Sequence, residues 1–173
     1  NSHALWNDED KFFYDTLCIA GKDPLPLKIQ SIVGLTSLFA VSTISKETFD
    51  LLNDFSKRVT WFENYRAKNN RFWPNEERGD GEEVLISLVK KDRLMYLLQR
   101  MLHEDEFLSD GGIRALSKYH EANPYSVDID GVNYTIQYDP GDSTSNLFGG
   151  NSNWRGPVWL PINYLIIRAI RKY

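Results

Sequence analysis

The chain has 173 residues, of which 42% are hydrophobic and 13% aromatic, and this supplies enough apolar side chain for the core of one ordinary domain. The net charge of −4 comes from interspersed residues of both signs, which excludes the strongly basic surface that binds nucleic acid. No apolar run approaches the ~20 residues that span a membrane, so a membrane segment is excluded as well.

Cysteine and histidine usage exclude two further kinds of site. The single Cys18 cannot form an internal disulfide, and its apolar neighbours predict a buried thiol. His3, His103 and His120 are far apart along the chain, so no metal site is predicted. No charged region followed by an apolar stretch opens the chain, as it would in a secretory signal peptide. These observations leave the compartment open, with the cytoplasm slightly favoured.

The first half of the chain predicts one strand and two helices. The acidic residues of the polar turn at 7–10 are more typical of solvent exposure than of a catalytic pair, and Asp15 is the better candidate for a buried carboxylate. Residues 12–19 predict a short strand, and residues 32–41 predict a short apolar helix. Ser45 is a candidate N-cap, and the apolar residues that follow it recur at helical spacing, so a helix is predicted from there to about Lys68.

The second half predicts two helices and a hairpin. Apolar residues between Leu94 and Leu102 recur at helical spacing. Asp130-Gly131 separates two alternating runs, and this dipeptide is the strongest short-range hairpin signal because a type I′ turn needs positive φ at both positions. Pro161 suits the first turn of a helix, and residues 162–173 are apolar on most sides, which predicts a buried helix.

Residues 149–159, with the sequence Gly-Gly-Asn-Ser-Asn-Trp-Arg-Gly-Pro-Val-Trp, combine groups that suit a sugar-binding loop. Sugars offer flat C–H faces that stack on indole rings, and pairs of hydroxyls that bond to amide and guanidinium groups. The same residues also suit a structural loop, with glycines at turns, tryptophans in the core and Arg155 bonded to loop carbonyls. Composition alone leaves these two alternatives open.

Several segments together resemble a known family. Asn-Trp-Arg-Gly-Pro-Val-Trp at 153–159, followed by Asn-Tyr-Leu at 163–165, is similar to the Trp-Arg-Gly-Pro-Ile-Trp…Asn-Tyr-Leu motif of glycoside hydrolase family 63. Leu-Trp-Asn-Asp-Glu-Asp-Lys-Phe-Phe-Tyr-Asp at 5–15 resembles that family's Trp-Asp-Glu-Glu-Asp-Gly-Phe-Phe-Tyr-Asp. Gly-Ile-Arg-Ala-Leu-Ser within 105–117 and Tyr-Asp-Pro-Gly-Asp at 138–142 agree in the same order.

The resemblance implies a mainly α fold. It implies part of an (α/α)6 barrel, a six-hairpin toroid, with a short β-hairpin near 125–138. It further implies that residues 1–173 are a fragment of one glycoside hydrolase catalytic domain, truncated at both ends, and that the remainder of the same polypeptide is its partner.

The resemblance also implies an activity. The intact protein is expected to hydrolyse an O-glycosidic bond, of an α-glucoside or an α-mannoside, with inversion and without a cofactor. The family's general acid lies upstream of the segment matched by residues 6–15, and its general base lies downstream of Trp-Arg-Gly-Pro. No catalytic residue is therefore expected in this chain, and the fragment alone is expected to be inactive. The alternatives are a trehalase-like glycosidase on the same scaffold and a non-catalytic carbohydrate-binding or scaffold protein.

Five residues are predicted to bind the carbohydrate. Trp154 is expected to stack on a sugar face, and Arg155 is expected to bond to a carboxylate or a pair of hydroxyls. Asn151 and Asn153 are weaker candidates for hydrogen bonds to hydroxyls. Arg114, on a glycine-rich turn, is as well suited to helix capping as to the site.

Overall fold

The computed structural model describes residues 5–68, 83–141 and 157–173. The chain forms two compact units, the first made of Asn1–Thr36 and Met95–Asn163 and the second of Ser37–Leu94 and Tyr164–Tyr173. Each strand of the described residues pairs within its own unit, with four small sheets in the first unit and one in the second.

The described residues contain short strands and short helices in alternation. The strands are β1 (Trp6–Asn7), β2 (Phe12–Phe13), β3 (Asp15–Leu17), β4 (Leu25–Leu27), β5 (Val41–Ser45), β6 (Glu83–Ser87), β7 (Leu108–Ser109), β8 (Gly112–Ile113), β9 (Tyr125–Ile129) and β10 (Val132–Ile136). The helices are a 3₁₀-helix (Ile32–Phe39), α1 (Lys46–Leu51), α2 (Asn53–Lys68), α3 (Lys91–Met101), α4 (Tyr119–Ala122) and α5 (Leu160–Ile170). Among the described residues, no helix is long and apolar enough to cross a membrane.

The predicted mainly α fold and the barrel are wrong. The structure has 39% helix and 28% strand, and within residues 5–68, 83–141 and 157–173 the strands form five two-stranded antiparallel sheets and no barrel. Helical periodicity correctly locates α2 and α3, but strands of two or three residues are too short to produce a detectable period of two. The sequence therefore locates the longer helices but misses most of the short strands.

The hairpin of β9 and β10 is confirmed. Ile129 pairs with Val132 and Tyr125 pairs with Ile136 across the sheet. At the turn, Asp130 has φ 51° and Gly131 has φ 81°, the two positive values that a type I′ turn requires. The local sequence therefore sets both the turn and the register.

The core of the first unit is built around stacked aromatic rings. Phe12 stacks on Phe107 with ring centroids 5.8 Å apart, and it tilts against Tyr14 at 5.5 Å. The Arg100 guanidinium carbon lies 5.6 Å from the centroid of the Phe12 ring. Burial of two whole Phe side chains contributes roughly 2–3 kcal/mol each to stability, so this stack is a major part of the core.

A second apolar cluster in the same unit lies under the hairpin. It joins Leu116, Ile136 and Tyr138, all less than 9% exposed, and Ile29 packs against it. Ser31 and Leu116 form an isolated antiparallel bridge beside the cluster. The hairpin is thereby attached to the first unit by its inward-facing side chains.

The second unit contains the longest-range strand pairing. In the antiparallel pair of β5 and β6, Val41 lies opposite Ser87 and Ser45 lies opposite Glu83. Ser45 is the N-cap of α1, as predicted, because its hydroxyl accepts a hydrogen bond from the Thr48 amide at 3.2 Å. The predicted single helix is divided at Leu52, where φ −84° and ψ 62° leave the helical region.

The prediction that Cys18 is buried is wrong, and the helix predicted at 162–173 is only partly buried. Cys18 is exposed, because it follows the last residue of β3 and its side chain is directed away from the core. The predicted buried helix at 162–173 buries Ile166 and Ala169 but leaves Leu165 43% and Ile167 59% exposed. The helix is apolar on most sides, and in this structure only one of its faces is covered.

Candidate functional site

Most of the predicted carbohydrate-binding residues lie outside the described part of the chain. Asn151, Asn153, Trp154 and Arg155 fall within residues 142–156, which the structure does not describe. Arg114 lies within the first unit and is half-buried. The site is therefore built from Arg114 and from the described end of the loop, Pro157 to Trp159.

The Arg114 guanidinium is bonded to backbone carbonyls. Its Nη1 donates to the carbonyls of Glu104 at 2.8 Å, Glu106 at 3.3 Å and Leu108. Its Nε donates to the Tyr138 hydroxyl at 3.2 Å, and its guanidinium carbon lies 5.9 Å from the Tyr138 ring centroid. Arg114 thus stabilises the turn that follows α3. It does not cap that helix, although helix capping was the alternative to substrate binding that the sequence suggested for this residue.

The backbone on either side of Arg114 holds the end of the glycine-rich loop. Arg114 and Val158 form an isolated antiparallel bridge, and the Ala115 amide donates to the Pro157 carbonyl at 3.1 Å. These contacts place Arg114 beside Val158, at the described end of the glycine-rich loop.

Asn163 completes this attachment with its side-chain amide. Its Oδ1 accepts a hydrogen bond from the Ile113 amide at 2.7 Å, and its Nδ2 donates to the Ile113 carbonyl at 3.1 Å and the Trp159 carbonyl at 3.0 Å. One carboxamide therefore satisfies both backbone groups of Ile113, as a neighbouring strand would. We call residues 112–115, 157–159 and 163 the loop anchor.

Gly112 is required for the close approach within the loop anchor. It has φ +124°, a conformation that L side chains rarely adopt. A Cβ at this position would lie 2.8 Å from Asn163 Oδ1 and 3.1 Å from a Val158 methyl carbon. The glycine-rich turn thus serves the packing of the anchor, whatever the loop binds.

The acidic turn at residues 7–10 is held by structural contacts. Asn7 Oδ1 accepts the amides of Glu9 at 2.9 Å and Asp10 at 2.8 Å, and the Trp6 indole donates to Asp8 Oδ1 at 2.9 Å. The Asp10 carboxylate forms an ion pair with Lys28 at 3.0 Å. This agrees with the expectation of a polar turn.

Asp15 was predicted to be a buried carboxylate, and this prediction is wrong. Asp15 is exposed on β3, because alternation along the strand turns the neighbouring Tyr14 inwards.

The buried Tyr14 hydroxyl has a perturbed pKa. Burial, and then the nearby Asp10 carboxylate, raise the pKa of the Tyr14 hydroxyl well above its usual value. Tyr14 therefore keeps its proton at neutral pH and can only take part as a neutral hydroxyl.

His120 is a buried polar residue whose role was not apparent from the sequence. Its Nδ1 lies 2.9 Å from the Asn123 carbonyl and must carry the proton, so Nε2 accepts the Gln30 amide at 2.9 Å. Burial lowers the pKa of His120, which is 2% exposed. Only the fold brings residue 30 to residue 120, so no local pattern could have indicated this contact.

The described residues contain no group of three or more His, Cys, Asp or Glu side chains that could hold a metal ion. In the first unit, Asp10 pairs with Lys28 and the Arg114 guanidinium donates to backbone carbonyls. The loop anchor is therefore the best-defined candidate site, and its chemistry is that of hydrogen bonding and positioning.

The chain is similar to a curated yeast protein. The chain is 45% identical over 171 residues to "Uncharacterized protein YMR196W" of Saccharomyces cerevisiae, covering 98% of this chain and 16% of that protein. The chain thus spans 16% of the length of the curated relative that it matches. No family model and no solved structure matches the chain.

These findings correct the assignment to glycoside hydrolase family 63. A member would be expected to match the model of its family, and the relative's name gives no activity. The resemblance depended on short segments rich in Gly, Trp and Asp, residue types that recur in loops for conformational reasons alone. The mixed fold with five small sheets is a second disagreement.

Proposed function

We propose that this chain supplies one wall of a carbohydrate-binding site in a protein that hydrolyses glycosidic bonds. The supporting observation is the loop anchor, which fixes the end of the loop that contains Trp154 and Arg155. A binding loop with one end already fixed has less conformational entropy to lose when it engages a ligand. Indole, guanidinium and carboxamide groups on such a loop suit the faces and hydroxyls of a sugar.

The proposal is tested by measuring sugar binding. The protein is titrated with glucose, mannose, maltose, trehalose and α-mannobiose by calorimetry, and bound sugars are confirmed by saturation-transfer NMR. We expect Trp154→Ala to weaken the binding of the preferred sugar at least roughly tenfold, since loss of an aromatic stacking platform removes a contact of this size. The melting temperature is expected to stay within about 2 °C of the parent value.

Trp61→Ala is the matched control. Trp61 is 64% exposed and stacks on Tyr65 with ring centroids 5.5 Å apart. Trp61→Ala therefore removes an exposed indole that lies outside the proposed sugar-binding loop. Sugar affinity should be unchanged in this variant. The proposal fails if no sugar binds, if both variants lose affinity equally, or if Trp154→Ala lowers only the melting temperature.

Hydrolysis itself is proposed for the longer polypeptide. Two carboxyl groups, an acid and a base ~6.5–9.5 Å apart, are needed for an inverting mechanism. We expect the 173-residue chain to bind sugar without turnover, and the intact protein to release the inverted anomer from an α-glucoside or α-mannoside. Turnover of trehalose alone would favour the trehalase-like alternative.

A second candidate, a non-catalytic binding or scaffold protein, is favoured by the contacts of Arg114. Its Nη1 is committed to three backbone carbonyls, which is a structural use of a guanidinium. Sugar binding by the intact protein without hydrolysis of any substrate in the panel would support this candidate.

A further inference from the structure

A groove in the second unit runs along the last residues of the chain. It has a volume of about 230 Å³. Its principal lining residues are Phe39, Val41, Tyr164, Leu165, Arg168 and Lys172. The floor of the groove is apolar. Arg168 and Lys172, four positions apart in the sequence, supply its two cationic groups.

The apolar surface extends from the groove onto the exposed side of α5. Tyr164 is 57%, Leu165 43% and Ile167 59% exposed, while Ile166 and Ala169 are buried. Large apolar side chains in successive exposed positions of a helix are characteristic of a surface that another element covers.

The charges beside this surface are of one sign. The Arg168 guanidinium lies over the Tyr164 ring at 5.9 Å and donates to its hydroxyl at 3.2 Å, and Lys172 Nζ lies 3.5 Å from the Val41 carbonyl. Neither cation forms an ion pair with a carboxylate in residues 5–68, 83–141 or 157–173. Residues 157–173 contain no Asp or Glu, so pairing this helix with a second copy would bring cations together.

We propose that this groove docks an apolar segment that carries a carboxylate and belongs to the same polypeptide, outside these 173 residues. An apolar side chain of the segment fills the groove, and its carboxylate pairs with Arg168 and Lys172. The relative supports a source within the same polypeptide, because its alignment covers 98% of this chain but only 16% of the relative's length. An open groove that continues onto a helix face suits a chain segment better than a small molecule, which is normally enclosed on most sides.

The experiment uses the full-length gene product and a photo-crosslinking amino acid, benzoylphenylalanine, at position 165. The same probe replaces Tyr134, which is 37% exposed on β10 in the first unit, as the control. Cross-linked peptides are identified by mass spectrometry. We expect the probe at 165 to label, within the same molecule, an apolar segment with Asp or Glu outside residues 1–173, and the probe at 134 not to label that segment.

Charge reversal then tests the pairing. Arg168→Glu with Lys172→Glu is expected to lower the yield of the 165 cross-link roughly fivefold, and reversal of the labelled carboxylate to Lys is expected to restore it. Arg58→Glu, at an exposed position of α2, is the control and should leave the yield unchanged. Cross-links from position 165 only to a second copy, only to another protein, only within residues 1–173, or to nothing would each overturn the proposal. So would a yield that is insensitive to charge reversal.

Discussion

The side-chain amide of Asn163 is expected to be one of the most sensitive positions of the first unit. Asn163→Leu keeps the approximate volume of the side chain but removes three hydrogen bonds, two to Ile113 and one to Trp159. Ile113 is 8% exposed, so water cannot easily replace the lost partners of its amide and carbonyl. At about 1 kcal/mol for each bond, the loss of unfolding free energy is about 2–4 kcal/mol. For a chain of this length, that corresponds to a fall in melting temperature of about 6–12 °C.

Two measurements check this prediction. Thermal unfolding followed by circular dichroism gives the change in melting temperature, and hydrogen exchange by NMR gives the protection of the Ile113 amide. Asn133→Leu is the control, because Asn133 is exposed on β10 and its amide bonds only to exposed side chains. We expect the Ile113 amide to exchange at least roughly tenfold faster in Asn163→Leu alone. Equal effects of the two substitutions, or unchanged exchange at Ile113, would show that the carboxamide does not hold the loop anchor.

Three further predictions follow from local contacts. Burial lowers the pKa of His120 in the folded state, so the unfolded state binds more protons below about pH 6.5. The contribution of His120 to stability is therefore full above that pH and lost as pH falls. His120→Gln should flatten this part of a stability-against-pH curve, and an unchanged slope would contradict the lowered pKa. Gly131→Ala should lower the free energy of unfolding in urea by about 1–2 kcal/mol, because Gly131 has φ +81°. Gly141→Ala is the control and should be nearly neutral, because a Cβ at position 141 would meet no atom within 4 Å. Equal effects of the two substitutions would contradict the positive φ. Cys18 should react stoichiometrically with a thiol reagent in the native protein, and reaction only after denaturation would contradict its exposure.

Local signals in the sequence predicted local structure well. The Asp130-Gly131 turn, the Ser45 N-cap and the end of α2 at Lys68 were all predicted, because each depends on residues within a few positions of one another. The strand predicted at 12–19 failed in a characteristic way. It is divided into β2 and β3, which pair with different partners, and no pattern within eight residues encodes the identity of a distant partner.

Long-range structure was not predictable in the same way. The run at 32–41 was predicted to be one helix, yet its last residue, Val41, begins β5 and pairs with Ser87. In the loop anchor, the glycine-rich turn was enough to mark Arg114 as a candidate site residue. Its partners, the carbonyls of Glu104 and Glu106, could not be predicted, because they depend on how the turn after α3 folds against Arg114. Asn163 was noticed only as part of a motif, although its contacts with Ile113 decide how the loop ends.

The pairing of β5 with β6 has a consequence for how the chain folds. The hairpin of β9 and β10 closes a turn of two residues, whereas β5 and β6 enclose residues 46–82. This is about four doublings in loop length, and each doubling adds about 0.6 kcal/mol to the entropic cost of closure, or about 2.5 kcal/mol in all. Such a difference slows closure by nearly two orders of magnitude if it is fully expressed in the barrier. The order of events during refolding is therefore built into the topology: the hairpin of the first unit can form within microseconds, while the second unit has to wait for its two strands to meet.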